Sequence, residues 1–286
     1  MQRVWFITGT STGMGRDLTL AALKRGDKVI ATARGRSFAK LADLKEQGAE
    51  IMELDVNASL DVLHAAAKKA VDVYGHVDVV VNNAGYIESG TLEETTPEET
   101  LNQFNTNVFA PLNINRAFLP YMRARKTGTI VWIGSIVGWQ TYPASALYCS
   151  TKFAVRSLSE ALHQEISPFG LRSICFDLGY FRTSFLADGH REDGKYRIKD
   201  YRPINERYVG SLAAVNGKQP GDPKKGVEVM LDVIRGEGIA DGRPTPLVLG
   251  LGSDILDTIK GVCDEKLKQL DEWKDIMYST DFVDGK

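Results

Sequence analysis

The stretch Val4-Trp5-Phe6-Ile7-Thr8-Gly9-Thr10-Ser11-Thr12-Gly13-Met14-Gly15-Arg16 decides the fold. An apolar run ends in a loop of small and hydroxylated residues, and a helical pattern begins at once behind it. That is a strand, a tight turn and a helix. Glycines at 9, 13 and 15 let the backbone approach a pyrophosphate at the helix N-terminus, where unpaired N–H groups and the dipole favour anions. The spacing is G-x-x-x-G-x-G, a departure from the G-x-G-x-x-G fingerprint. An ordinary βα loop is also rich in Gly, Ser and Thr. Position favours the dinucleotide: the loop follows the first strand, opens the first helix, and has a second βα unit behind it.

Outward from this loop, short apolar runs alternate with longer helical patterns, the signature of repeated βαβ units and a parallel sheet. Strands are predicted at 4–8, 28–33, 50–54, 77–81, 129–134, 171–177 and 247–249. Helices are predicted at 15–25, around 37–47, and at 59–74, 97–123 and 145–167. Ala110-Pro111 should break or shift the fourth. The pattern changes over 187–223, where breaker clusters alternate with tyrosines at 196, 201 and 208. A long excursion of that kind is usually functional or disordered, and the tyrosines favour a partly helical lid. The stretch 253–286 reads as a helical tail, with Ile255, Ile259, Leu267 and Leu270 as packing positions.

Composition sets limits on the partners. A formal charge of −2 leaves no footprint for nucleic acid or an anionic membrane. No apolar run approaches the roughly 20 residues of a membrane span. Cys149, Cys175 and Cys263 have no metal-ligand spacing, nor do the four histidines. These features, with no signal-peptide pattern at Met1, predict a soluble, cytoplasmic protein without a metal.

Strand two ends at Ala31-Thr32-Ala33-Arg34. A carboxylate near this point would take the adenosine ribose hydroxyls of NAD, whereas an arginine pairs with a 2′-phosphate. Ala33 supplies no acid, and Arg34 with nearby Arg36 supplies cations, so the cofactor expected is NADP(H). A solvated strand-end arginine is the plain alternative. Asp55, beside Val56, ends strand three where a carboxylate could accept from the adenine amino group. Asn82-Asn83-Ala84-Gly85 ends strand four, where small residues let the chain pass close under the ribose. Further on, Tyr148-Cys149-Ser150-Thr151-Lys152 puts a phenol and an ammonium one helical turn apart. In a partly dry site the lysine charge would pull the phenol from roughly 10 towards neutral and fit it for proton transfer.

The ordered set Thr8-Gly9-x-x-x-Gly13-x-Gly15, Asp55, Asn82-Asn83-Ala84-Gly85, Asn107, Ser135 and Tyr148-x-x-x-Lys152 resembles the short-chain dehydrogenase/reductase family over most of the chain. The resemblance implies a Rossmann-like, doubly wound α/β fold, with about seven parallel strands and helices on both faces, in one domain over 1–286. It implies a catalytic tetrad of Asn107, Ser135, Tyr148 and Lys152. Ser135 would steady negative charge on the substrate oxygen, and Tyr148 would donate or remove the proton. Lys152 would hold the nicotinamide ribose, and Asn107 a water on the proton route. Cofactor contacts are implied at Gly9, Ser11, Thr12, Gly13, Met14, Gly15, Arg34, Asp55, Val56, Asn83, Ala84, Gly85, Tyr148, Lys152, Gly179 and Thr183. The family usually has Pro-Gly after strand six; here Leu178-Gly179 stands there, without the locked φ of proline. A dimer or tetramer through the helices at 97–123 and 145–167 is also implied.

Between Ser135 and Tyr148, Trp139 and Tyr142 could form an aromatic wall or simply pack on a helix, and Phe185 could add to the wall. The expected reaction is therefore hydride transfer between NADP(H) and a bulky, mainly apolar ketone or secondary alcohol. Recruitment of the fold to non-redox chemistry, or to NADP-linked regulation, stands as the alternative.

Overall fold

The computed structural model describes residues 1–186, 191–192 and 196–282. Its strands are β1 (Val4–Ile7), β2 (Lys28–Ala33), β3 (Glu50–Glu53), β4 (Val79–Asn82), β5 (Ile87–Glu88), β6 (Gly128–Ile133), β7 (Leu171–Leu178), β8 (Arg191–Glu192) and β9 (Val248–Leu251). Its helices are α1 (Gly13–Lys24), α2 (Gly35–Phe38), α3 (Ala42–Glu46), α4 (Leu60–Tyr74), α5 (Pro97–Phe104), α6 (Ala110–Arg125), α7 (Ala146–Ile166), α8 (Arg202–Val215), α9 (Pro223–Arg235) and α10 (Ser253–Tyr278). Seven strands form one sheet in the order β3-β2-β1-β4-β6-β7-β9, every neighbour parallel. The fold is the Rossmann-like α/β arrangement expected. β1 and β4 are buried at every position, as strands covered on both faces must be. One face packs Leu18, Ala22, Leu231 and Ile234 from α1 and α9; the other packs Leu63, Ala67, Ile114 and Phe118 from α4 and α6.

Strand order reverses between β1 and β4, so a crevice opens there beyond the carboxyl ends of the strands, the usual place for a ligand in an open α/β sheet. The helix predicted around 37–47 is split into α2, a 3₁₀ turn at Ala39–Leu41, and α3. The fourth helix is interrupted before Ala110-Pro111, by a π-helical turn at Asn105–Phe109. Pro111 follows directly on that turn, and its missing N–H removes one of the helix hydrogen bonds where the π turn passes into α6.

Of the excursion, 187–190 and 193–195 lie outside the described residues, and the rest includes α8, in line with a partly helical segment. Ile255 is fully buried and Ile259 partly so, as the tail reading required. Leu267 and Leu270 do not pack, being 61% and 49% exposed, because α10 runs on past the body of the sheet layers. No described helix is long and apolar enough to cross a membrane, and no group of three or more potential ligands among the described residues could hold a metal ion.

Candidate active site

A cavity of about 830 Å³ occupies the crevice and reaches from the α1 turn to α8. One end is lined by Gly9, Ser11, Thr12, Gly13 and Met14. Gly9 and Gly13 have φ of 70° and 60°, left-handed values that a side chain would strain. A Cβ on Gly9 would also come within 2.9 Å of Ala84 Cα. Asn83 braces the turn, its amide donating to the Thr8 and Gly9 carbonyls at 2.8 and 3.0 Å. The Thr8 hydroxyl answers by accepting from the backbone N–H of Asn83 and Ala84. No acidic residue stands in the first turn of α1, so its positive dipole end faces this part of the cavity. Gly15 is not among the residues lining the cavity, and a Cβ there would collide with the Asn83 amide and lie 2.7 Å from Gly9 O. Glycine at 15 lets the helix pack closely on the turn.

Beyond the turn, Arg34, Arg36, Ser37 and Lys40 gather at the cavity rim from the end of β2 and the two turns after it. Ser37 and Lys40 escaped the sequence reading; the cation cluster over 34–40 was the available signal. Asp55, Val56, Ala84 and Gly85 lie on the opposite wall. The Asp55 carboxylate already accepts from Asn57 N at 2.9 Å, leaving its second oxygen for other donors.

Ser135, Tyr148 and Lys152 meet deeper in the same cavity. β6 delivers Ser135 just past its end, and α7 carries the other two a turn apart. Burial pushes the Tyr148 phenol above its ordinary value, and a hydrogen bond with Ser135 pulls it back only in part. This reverses the expectation of a phenol drawn towards neutral by its lysine. Lys152 Nζ donates to the Ile133 carbonyl at 2.7 Å and stands 5.7 Å from the Tyr148 ring centre. Burial pulls the ammonium itself down to about 8, opposed by Cys175 and Asp177.

Asn107 is placed apart from the other three. It sits in the π-helical turn, buried, outside the cavity lining. Its carbonyl accepts from Tyr86 N, while its amide donates to Tyr86 O and Thr151 Oγ1. Threading the chain past Tyr86 and Thr151 needs that turn, and π turns recur at functional sites.

Gly179 and Thr183 line the cavity between the α1 turn and Tyr148. Where the family has proline, Leu178 continues β7 and pairs with Leu251 of β9. Asp254, in the first turn of α10, then accepts from Tyr180 N at 2.6 Å and fills the space beside Gly179. A carboxylate from α10 thus braces the turn two residues beyond Leu178.

The apolar end is lined by Ile87, Ile136, Val137, Tyr180, Phe185, Leu186, Tyr208 and Leu212. Phe185 lines this end and stands 6.2 Å from the Tyr148 ring. Trp139 and Tyr142 do not line the cavity. The Trp139 indole is held by Asp177 Oδ2 at 2.8 Å with Arg156 stacked 4.0 Å over its ring, and Tyr142 pairs with Gln140. Both pack against the buried cluster that holds Tyr148 and Cys149. Leu212 was missed because α8 reaches the site only through tertiary docking.

A family model described as short chain dehydrogenase matches residues 3–193. An oxidoreductase of Botryotinia fuckeliana, BOA17, is 32% identical over 96% of this chain and 98% of its own. The solved structure of a short-chain dehydrogenase from Streptomyces avermitilis superposes with a TM-score of 0.87 at 35% identity, covering 98% of each chain. A solved actinorhodin polyketide ketoreductase variant with NADPH gives 0.73 at 26% identity, over 89% of this chain and 97% of its own. With the glycine turn, the switch-point crevice and the Ser–Tyr–Lys cluster in one cavity, these matches place the chain in the short-chain dehydrogenase family of oxidoreductases.

Proposed function

We propose that the protein is an NADP(H)-dependent carbonyl reductase or secondary alcohol dehydrogenase with Tyr148 as its general acid and base. One observation carries the reading: a single cavity has a cluster of cations at one end and a buried phenol beside a serine hydroxyl near the other. The glycine turn leaves room for a pyrophosphate, and the α1 N-terminus favours its charge. Arg34, Arg36 and Lys40 would meet a 2′-phosphate, Asp55 the adenine side, and Gly179 and Thr183 the nicotinamide side. Bound NADPH supplies the hydride. The ketoreductase relative solved with NADPH supports this choice of cofactor.

The chain's own part is orientation and proton movement. Ser135 presents a hydroxyl to the developing oxyanion. Tyr148, held protonated by burial, is in the donor form that ketone reduction needs. Lys152 fixes its ammonium against the end of β6 and places positive charge behind the phenol. Around them the wall of Ile136, Phe185, Leu186 and Leu212 suits a bulky, mainly apolar ketone.

In an assay of NADPH oxidation against a ketone panel, aryl and long alkyl ketones should turn over and small polar carbonyls should not. kcat/KM with NADPH should exceed that with NADH, and Arg34→Ala should shrink the ratio about tenfold, the worth of one charge-assisted contact. A preference for NADH, or turnover confined to small hydroxy ketones, contradicts the proposal.

A further inference from the structure

Behind Lys152 lies a second ionic layer that the reaction above does not use. Asp177, near the end of β7, is a fully buried carboxylate. Its Oδ2 accepts from the Trp139 indole at 2.8 Å, and its Oδ1 faces the Cys175 thiol at 3.4 Å. Oδ1 also presses on Gly134, where any Cβ would overlap it. Gly134 is the residue between Ile133, whose carbonyl takes the lysine ammonium, and Ser135. Arg156 follows Lys152 by one turn of α7, stacks on Trp139, and has a buried Nη1 without a hydrogen-bond partner.

We propose that Asp177 is a positioning residue for Lys152: its carboxylate, clamped by Trp139 against Gly134, supplies the buried negative charge that keeps the ammonium charged and seated on the Ile133 carbonyl. The inference rests on the role given to Lys152 above.

The groups facing Lys152 are few. From its own helix come Tyr148 and Arg156; from β7 come Cys175 and Asp177; the end of β6 offers only the Ile133 carbonyl and Ser135. Burial pushes the Cys175 thiol well up, so it stays neutral. Tyr148 is likewise held protonated. Asp177 is the one carboxylate of the set, the only side chain here whose ordinary range lies well below neutral pH. Burial raises its carboxyl, while the Trp139 and Cys175 hydrogen bonds and the Arg156 and Lys152 charges lower it. Small residues are needed around it. Gly134 makes room for the carboxylate, and a Cβ on Gly138 would lie 3.1 Å from the Lys152 carbonyl oxygen, so glycine there lets the turn close on α7.

The test is the pH profile of kcat/KM for ketone reduction in the full-length enzyme, alongside the ionisation of Lys152 itself. Reductive ¹³C-methylation and NMR would read the latter, with Lys152→Arg assigning the signal. Asp177→Asn keeps the shape and one acceptor oxygen, enough for the Trp139 indole, but removes the charge. It should move both the lysine titration and the basic limb of the profile down by about one pH unit, so that the loss of rate grows with pH. Trp139→Phe, which frees the carboxylate without discharging it, should give a smaller displacement. A loss uniform across pH with the lysine titration unmoved marks packing alone and overturns the proposal; so does an unchanged profile. If instead the lysine titration moves and the rate profile does not, the role of Lys152 in the reaction fails while the Asp177 contact stands.

Discussion

Tyr148 lies buried between the Ser135 hydroxyl and the Phe185 ring, and its protonation state follows from that position. Burial disfavours the phenolate, and the nearest cation is itself short of solvent. Burial thus favours the protonated phenol, while the same burial brings the Lys152 ammonium down to about 8. Since kcat/KM reports the free enzyme, its profile for reduction should be level below neutral. It should fall as pH rises through about 8, as the ammonium loses its proton. Tyr148→Phe should lower kcat by about 10²–10⁴-fold, the usual share of a general acid, with NADPH affinity in a fluorescence titration little changed. The spacing of Tyr148 and Lys152 was legible in the chain. The sign of the phenol's shift was not, because it depends on how much protein surrounds the ring.

Elements place these residues by small irregularities. The α1 turn works because Gly9 and Gly13 adopt left-handed backbone and Asn83 bridges from the end of β4. The missing proline at 178 is offset by an element from the far end of the chain, since Asp254 of α10 pins Tyr180 N. Asp254→Ala should loosen this turn. The expected result is a several-fold rise in KM for the cofactor with a smaller change in kcat, the equivalent of about 1 kcal/mol for one lost part-buried hydrogen bond. An unchanged KM would show that pairing of Leu178 with Leu251 suffices. The π-helical turn at Asn105–Phe109 carries Asn107 to Tyr86 and Thr151, and lies just before Ala110-Pro111, where the sequence predicts a break or shift.

Across the whole molecule the apolar end of the cavity is closed by α8, and α8 is latched to the segment before α5. Glu94, 4% exposed, accepts from Ile198 N at 3.0 Å and from the Asn205 amide at 2.6 Å. Arg197 forms a two-pronged pair with Glu99, which also completes the capping box of α5 with Thr96. Glu94→Ala would strand several donors in the interior, a loss of about 1–3 kcal/mol. It should lower Tm by several degrees and raise KM for the ketone more than it lowers kcat; an unchanged KM would mean that the latch does not shape the site. By itself the chain determined the order of strands and helices, the phosphate turn, the cation-rich end of β2 and the pairing of Tyr148 with Lys152. Each of these is written in contiguous residues whose periodicity and turn chemistry act locally. Only the tertiary structure decided that Trp139 pairs with Asp177, that Gly15 packs against Asn83, that Asp254 reaches the turn after β7, and that α8 lines the cavity. Those outcomes depend on residues tens to hundreds of positions apart, brought together by burial of a shared core, and no local pattern encodes which of them will touch.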